Sequence, residues 1–194
     1  AVFDPRTGRS WGVSDFDLNP ELLADFAVMA PPRPAAVLVP IVVREQLTVL
    51  LTQRTEHLAN HAGQIAFPGG MVDGAHETPV AAALREAEEE IGLAPHLVEP
   101  LGYLDGYRTG TGFHVMPVVA LVQPEFTLTP NPVEVADTFE VPLAFVMDPA
   151  NHQHHSRPWL GRERFFYAIA YQQRYIWGVT AGIMKNMQQR LFAR

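Results

Sequence analysis

Residues 69–93 read GGMVDGAHETPVAAALREAEEEIGL, and this stretch decides how the chain folds. Thr78 can cap a helix N-terminus, Pro79 suits the first helical turn and Gly92 suits a left-handed end, so the spacing predicts a helix from Thr78 to Ile91. Within it Val80, Leu84, Ala87 and Ile91 recur at helical spacing and form one apolar stripe that must pack against something. The acids take another face. Glu86 and Glu90 lie about 40° apart around the axis and Glu89 about 60° beyond Glu86, while Glu88 points elsewhere. Like charges this close repel, and a hard divalent cation such as Mg²⁺ or Mn²⁺, which takes oxygen ligands, would relieve the repulsion. The alternative is a solvated acidic face carrying an Arg85–Glu89 ion pair.

Upstream, Phe67-Pro68-Gly69-Gly70 forms a tight turn whose glycines let backbone approach a ligand closely. From Glu77 onward, seven residues lead to Arg85-Glu86, then Ala87, Glu88, Glu89-Glu90, Ile91, Gly92 and Leu93. This run resembles the signature of the Nudix hydrolases. One departure precedes it: six residues separate Gly70 from Glu77 where the standard box has five. The longer loop also occurs in the coenzyme A pyrophosphatase branch of that family. Leu50-Leu51-Thr52-Gln53-Arg54-Thr55, followed by Gly63 and Phe67-Pro68-Gly69-Gly70, is similar to that branch's own motif. Thr55 stands there for Ser and keeps the hydroxyl, whereas Ala59 stands for an arginine and removes a bidentate phosphate donor. The likeness runs through Leu104-Asp105, Met116-Pro117, Asn131 to Val135, Val141-Pro142 and Ile176 to Ala181, covering roughly residues 33–185.

The resemblance implies an α/β fold of the Nudix type, an α/β/α sandwich with a mixed sheet and a loop-helix-loop box near residues 70–93. Length suits a single domain over residues 1–194, and the irregular pattern of residues 1–32 reads as an N-terminal arm. The resemblance also implies metal-dependent hydrolysis of a diphosphate, here that of coenzyme A or its acyl or oxidised derivatives, to 3′,5′-ADP and 4′-phosphopantetheine. ADP-ribose, NADH or a nucleoside triphosphate are the alternative substrates. Glu86, Glu89 and Glu90, with the Gly70 carbonyl, are the candidate ligands of Mg²⁺ or Mn²⁺. Arg85 is expected to orient a box carboxylate. Glu89, Glu134 and Glu140 are candidates for the general base, and Arg54, Thr55, Gly63, Phe67, Gly69 and Gly70 for substrate binding. A noncatalytic binding module of the same fold is a further reading, opposed by the presence of every box acid.

Composition agrees without deciding. A chain of 194 residues, 47% hydrophobic, can bury a full core. No stretch approaches the roughly 20 apolar residues that span a bilayer, and no charged-then-apolar leader opens the chain, so a cytoplasmic protein without membrane contact is expected. A net charge of −7 argues against a broad nucleic-acid surface. An anionic small-molecule substrate then needs local cations. With no cysteine, disulfides and thiol catalysis are excluded. Oligomeric state is left open by the sequence.

Outside the box, Arg33 to Arg44 predicts a buried strand interrupted by Pro40, forming a hairpin with Gln46 to Arg54. Leu101 to Arg108 and His114 to Val122 predict strands around a Thr109-Gly110-Thr111-Gly112 turn, read as a plain hairpin in preference to a phosphate cradle. Glu134 to Phe145 mixes strand and helix signals, Arg164 to Tyr171 is strand-like, and Gly178 to Phe192 predicts the final helix. A short helix is expected near Pro20 to Val28. His152, His154 and His155 are read as a polar loop, and His57 and His61 flank the second motif. Trp159, Phe165, Phe166, Tyr167 and Trp177 are aromatics for the core or for stacking on adenine.

Overall fold

Apolar β-formers from Arg33 to Val42 build the central strand of the molecule, described by a computed structural model over residues 14–22, 31–58, 61–74, 76–159 and 161–192. In chain order the strands are β1 (Arg33–Val42), β2 (Thr48–Arg54), β3 (Ile65–Ala66), β4 (Gly69–Met71), β5 (Val98–Tyr103), β6 (Tyr107–Arg108), β7 (Phe113–Val122), β8 (Val135–Pro142), β9 (Gln153–Trp159), β10 (Arg162–Tyr171) and β11 (Arg174–Trp177). The helices are α1 (Pro79–Ile91), α2 (Leu143–Met147) and α3 (Val179–Phe192). The first eight strands form one mixed sheet along the path β3-β2-β1-β7-β5, with β4 on β1, β6 on β7 and β8 on β2. The last three form an antiparallel sheet ordered β11-β10-β9. Among the described residues no helix is long and apolar enough to cross a membrane.

Pro40 does not interrupt β1, contrary to expectation. β1 runs parallel to β7 from Arg33↔Phe113 to Val42↔Val122 without a break. The amides of Arg33 and Val43 point to β7, bonding Gly112 and Val122, whereas that of Leu38 points to the other edge, bonding Pro68. By alternation Pro40 also faces that second edge, where β4 pairs only as far as Val37 and β2 begins at Ile41. The missing donor therefore falls in a gap between partners, and no ladder bond is lost. Pro117 on β7 is placed the same way, between β5, which ends at Tyr103↔Val118, and β6, which begins at Tyr107↔Val115. That gap also corrects the expected Leu101 to Arg108 strand, which is two strands broken at residues 104–106.

The helix over the box forms as predicted. Thr78 accepts from the Ala81 amide, Pro79 opens the first turn, and Gly92 adopts φ 68° with its amide on the Ala87 and Glu88 carbonyls. Its buried stripe is wider than the predicted one. Ala82 and Ala83 join Ala87 and Ile91 against Ala36, Leu38, Leu50 and Val118, while Val80 and Leu84 sit half-buried at the margin. Small alanines let the helix lie close to the sheet. The opposite sheet face, carrying Ala35, Val39, Val49 and Leu51, packs with Phe67 and with Ile169, Ile176, Ile183, Met184 and Met187 of β10, β11 and α3. Helices thus cover both faces, giving the mixed α/β sandwich that the sequence predicts.

Residues 14–19 are tied to the second sheet. The Asn19 side chain is fully buried; its Nδ2 donates to the Phe165 carbonyl at 2.9 Å and its Oδ1 accepts from the Phe165 amide at 2.7 Å. It thereby replaces a strand partner for β10 beyond the point where β11 stops, at Ala168↔Trp177. Asp15 accepts from Arg164 at 2.5 Å, from the Tyr107 hydroxyl at 2.9 Å and from the Gly110 amide at 2.8 Å. The Thr109 to Gly112 turn is a hairpin connection whose Gly110 donor is already committed. Of the helix expected near Pro20 to Val28, a 3₁₀ turn spans Pro20–Leu22 and residues 23–30 lie outside the described ones.

Candidate active site

The acidic face of α1 meets three other elements: the Gly69–Gly70 turn of β4, the C-terminal end of β2 and the segment that enters β8. Gly69 is required by close approach, because a Cβ there would lie 2.3 Å from the Ala36 carbonyl oxygen and 2.6 Å from Val37 Cα. Gly70 is required by the site itself. A Cβ on it would stand 2.4 Å from the Glu86 carboxyl carbon. The glycine pair thus lets the Glu86 carboxylate lie directly against the β4 backbone.

Arg85 organises the outer side of this face. Its Nε donates to Glu77 Oε1 at 2.9 Å, one terminal nitrogen to Glu86 at 2.8 Å and Glu89 at 3.2 Å, and the other to the Met71 carbonyl at 3.1 Å. The predicted Arg85–Glu89 pair is present, as one spoke of a larger fork. Glu77 also accepts from the Asp73 amide at 2.5 Å, so it closes the box loop onto the helix. Its hydrogen bonds, chiefly to Arg85, hold the Glu77 carboxyl below the usual carboxylate range. In the sequence Glu77 marks only the spacing of the box. Its place opposite Arg85 in the box was the signal for this structural duty.

Glu90 faces inward and is 5% exposed. Its carboxylate accepts from the Gly69 amide at 3.3 Å, and Arg54 at the end of β2 stands 3.7 Å away. Burial pushes its pKa up to about 7; the Gly69 amide and the Arg54 charge oppose that shift, and the Glu86 and Glu134 charges add to it. Glu90, Glu86, Glu134 and Arg54 therefore share one electrostatic neighbourhood. The Arg54 Nε is buried and has no hydrogen-bond partner among the described residues.

The other candidates divide sharply. Glu134 lies one residue before β8, with its carbonyl accepting from the Thr55 amide at 3.0 Å. Glu140 is at the far end of β8, paired with Arg44 at 2.7 Å and hydrogen-bonded by Thr48 at 2.5 Å. Because Arg54 pairs with Val135 and Leu50 with Glu140, the two acids are about 20 Å apart along the strand. Glu140 is thus too far from the Glu86–Glu90 end of the site to take a proton from a water there. Thr55 is buried, its hydroxyl donating to the Val133 carbonyl at 3.0 Å, and Phe67 is a core side chain. Gly63 takes φ 67° at the turn before β3, close to Glu56. Ala59 lies outside the described residues.

The histidine reading is corrected. His154 and His155 lie on β9, where His154 packs edge-on against Tyr167 and His155 stacks on Tyr175. His152, just before the strand, uses Nε2 on the Val146 carbonyl at 2.7 Å. The alternating residues of an exposed edge strand look like a polar loop because neither face is uniformly apolar. Among the described residues no three carboxylate or imidazole groups stand close enough together to enclose a metal ion unaided. Glu89, 60% exposed, turns to Arg85. What remains is an open pair, Glu86 and Glu90, beside a glycine backbone. Such all-oxygen donors fit Mg²⁺ or Mn²⁺, which bind through one or two carboxylates and complete their shell with water and substrate phosphate.

Glu90 makes stability pH-dependent. With a folded pKa of about 7 against an ordinary 4.5, the fold favours its neutral form. Its contribution is fully present below the ordinary value and is lost as pH rises to about 7, on the order of 3 kcal/mol in the metal-free protein. His114 and His152, both lowered chiefly by burial, act in the opposite direction. The difference between wild type and Glu90→Gln isolates the carboxylate: in chelator, Glu90→Gln should gain stability over wild type between pH 5 and 7.5 by denaturant unfolding. An unchanged difference across that range would mean that Glu90 is not desolvated.

A three-layer α/β sandwich with an acidic helix under a glycine turn defines the class of Nudix-fold hydrolases. The chain matches the family described as the NUDIX domain over residues 32–161 and belongs to it. It is 43% identical over 155 residues to an uncharacterized Nudix hydrolase, NudL, of Escherichia coli K12, covering 80% of this chain and 81% of that protein. To the NudL protein of Photorhabdus laumondii it is 39% identical over 175 residues, covering 86% and 94%. Among solved structures, a MutT/nudix family protein from Enterococcus faecalis superposes with a TM-score of 0.52 at 19% identity, covering 91% of this chain and 70% of the other, and shares the fold.

Proposed function

We propose that the protein hydrolyses the diphosphate bond of coenzyme A or of its acyl or oxidised derivatives, releasing 3′,5′-ADP and 4′-phosphopantetheine. The observation that carries this reading is the convergence of two motifs: the Leu50 to Gly70 segment, which resembles the coenzyme A branch, delivers Arg54 to within 3.7 Å of box residue Glu90. Glu86 and Glu90, with the Gly70 carbonyl and with Glu89 once it turns from Arg85, would hold Mg²⁺ or Mn²⁺, which when bound neutralises the diphosphate and acidifies the attacking water. Arg85 keeps Glu86 and Glu89 oriented through its forked hydrogen bonds. Arg54, whose partly exposed guanidinium stands beside Glu90, is suited to a nonbridging phosphate oxygen in this reading. Glu134, whose charge is felt at Glu90, is the general base in this reading, and Glu89 is the box alternative.

Replacement of the motif arginine by Ala59 favours a second reading in which the same chemistry acts on ADP-ribose, NADH or a nucleoside triphosphate. A substrate panel with Mg²⁺ or Mn²⁺, ranked by kcat/KM, separates the two. Coenzyme A or a derivative is expected to lead the panel. Preferred turnover of another nucleotide would overturn the substrate assignment and leave the hydrolase standing.

A further inference from the structure

β8 carries an irregularity where it enters the cleft. Gln53 pairs with Asp137, but Arg54 pairs with Val135, so Ala136 is an extra residue on β8. A bulge of this kind bends its strand and redirects the neighbouring side chains. Here it lies between the last regular pair, Gln53 and Asp137, and the two groups that act on Glu90, namely Arg54 and Glu134.

Arg174, the first residue of β11, spans that pair. One terminal nitrogen donates to Gln53 Oε1 at 2.5 Å and the other to Asp137 Oδ2 at 2.5 Å, and its guanidinium carbon lies 4.2 Å from the centre of the Phe139 ring. The residue comes from the smaller sheet and lies beyond the stretch that matches the family. A half-exposed ion pair alone contributes little. A planar fork that grips both strands of one pair while stacked on a ring is a geometric constraint that a lysine cannot reproduce.

We propose that Arg174 is a positioning residue that pins the Gln53–Asp137 pair, so that the bulge falls at Ala136 and brings Arg54 and Glu134 to Glu90. Its kinetic consequence rests on the reading of the cleft as a diphosphate-hydrolysing site; its structural consequence does not. The test uses Arg174→Ala and Arg174→Lys, each alone and combined with Arg54→Ala. In Arg174→Ala, the Thr55 amide, bonded to the Glu134 carbonyl just past the bulge, should exchange with solvent at least about tenfold faster, while the Leu38 amide keeps its protection. On the best substrate of the panel, kcat should fall about tenfold with KM changed by less than about twofold, and lysine should not restore it. In the Arg54→Ala background the Arg174→Ala effect should be clearly smaller than in wild type, because part of it acts through Arg54 and the rest through Glu134. Unchanged Thr55 exchange, or a full Arg174 effect persisting without Arg54, would overturn the inference. If wild type cleaves no diphosphate at all, the functional reading fails and the exchange measurement alone decides on Arg174.

Discussion

Glu86→Gln and Glu90→Gln are each expected to lower kcat by about 10² or more on any diphosphate that the wild type cleaves. Each change keeps shape and an acceptor oxygen but removes the negative charge that a hard cation requires. Stability should move the other way at Glu90. That carboxylate is 5% exposed and its burial raises its pKa to about 7, so a neutral amide removes the cost of burying the charge. At pH 7.5 in chelator the Glu90→Gln protein should therefore be at least as stable as wild type, while Mg²⁺ or Mn²⁺ should raise the midpoint of wild type more than that of the variant. Glu86→Gln keeps an oxygen for Arg85 and should fold normally. Turnover unchanged in both variants would remove the metal-site assignment, and loss accompanied by unfolding would assign the residues to structure.

A chain ended after residue 161, where the family match stops, is expected not to fold. The truncation deletes β10, β11 and α3, and with them Ile169, Ile176, Ala181, Ile183, Met184 and Met187, which share a core cluster with Phe67, Val39 and Leu51. At about 2 kcal/mol for each large buried side chain, the lost burial is on the order of 10 kcal/mol, comparable with the whole net stability of a domain. Thr180, whose hydroxyl donates to the Ile65 carbonyl at 3.0 Å, goes with it. Loss of a cooperative thermal transition by circular dichroism is the expected result. A truncated protein that melts cooperatively and retains turnover would show that the C-terminal elements only decorate the sandwich. Ile176→Ala in the full chain serves as the milder control, at about 2–5 kcal/mol.

The box helix was legible because its signals are local: Thr78, Pro79 and Gly92 act on backbone within a turn, and the spacing of Ala87 and Ile91 needs no partner to be read. Helical spacing placed Glu86, Glu89 and Glu90 on one side and Glu88 on another. In the fold Glu90 is buried and Glu86 half-buried against the glycine turn, but Glu89 is exposed like Glu88 and turns to Arg85, a partner that spacing alone does not weigh against the cleft. Pro40 misled because the cost of a strand proline depends on which neighbour its nitrogen faces, and the switch from β4 to β2 is set by residues elsewhere in the chain. Glu134 and Glu140 looked equivalent, six residues apart on one acidic segment; only the pairing of β8 with β2 separates them. Arg174 carried no local mark at all. Its partners, Gln53 and Asp137, belong to strands that meet it only in the folded sheet.

The prolines at the partner switches have a consequence for how the sheet is reached. A one-residue slip of β1 would turn its even-numbered amides toward β7, so that a β7 carbonyl would meet Pro40 and find no donor. A buried carbonyl left in this way costs about 1–3 kcal/mol, in addition to the exchange of every core side chain to the other face. Pro117 penalises the corresponding slip of β7. The two residues therefore act on the competitors of the native state: they are harmless in one register and penalised in the neighbouring ones, and the long parallel pairing at the centre of the molecule is guarded against kinetic traps by the donors it lacks.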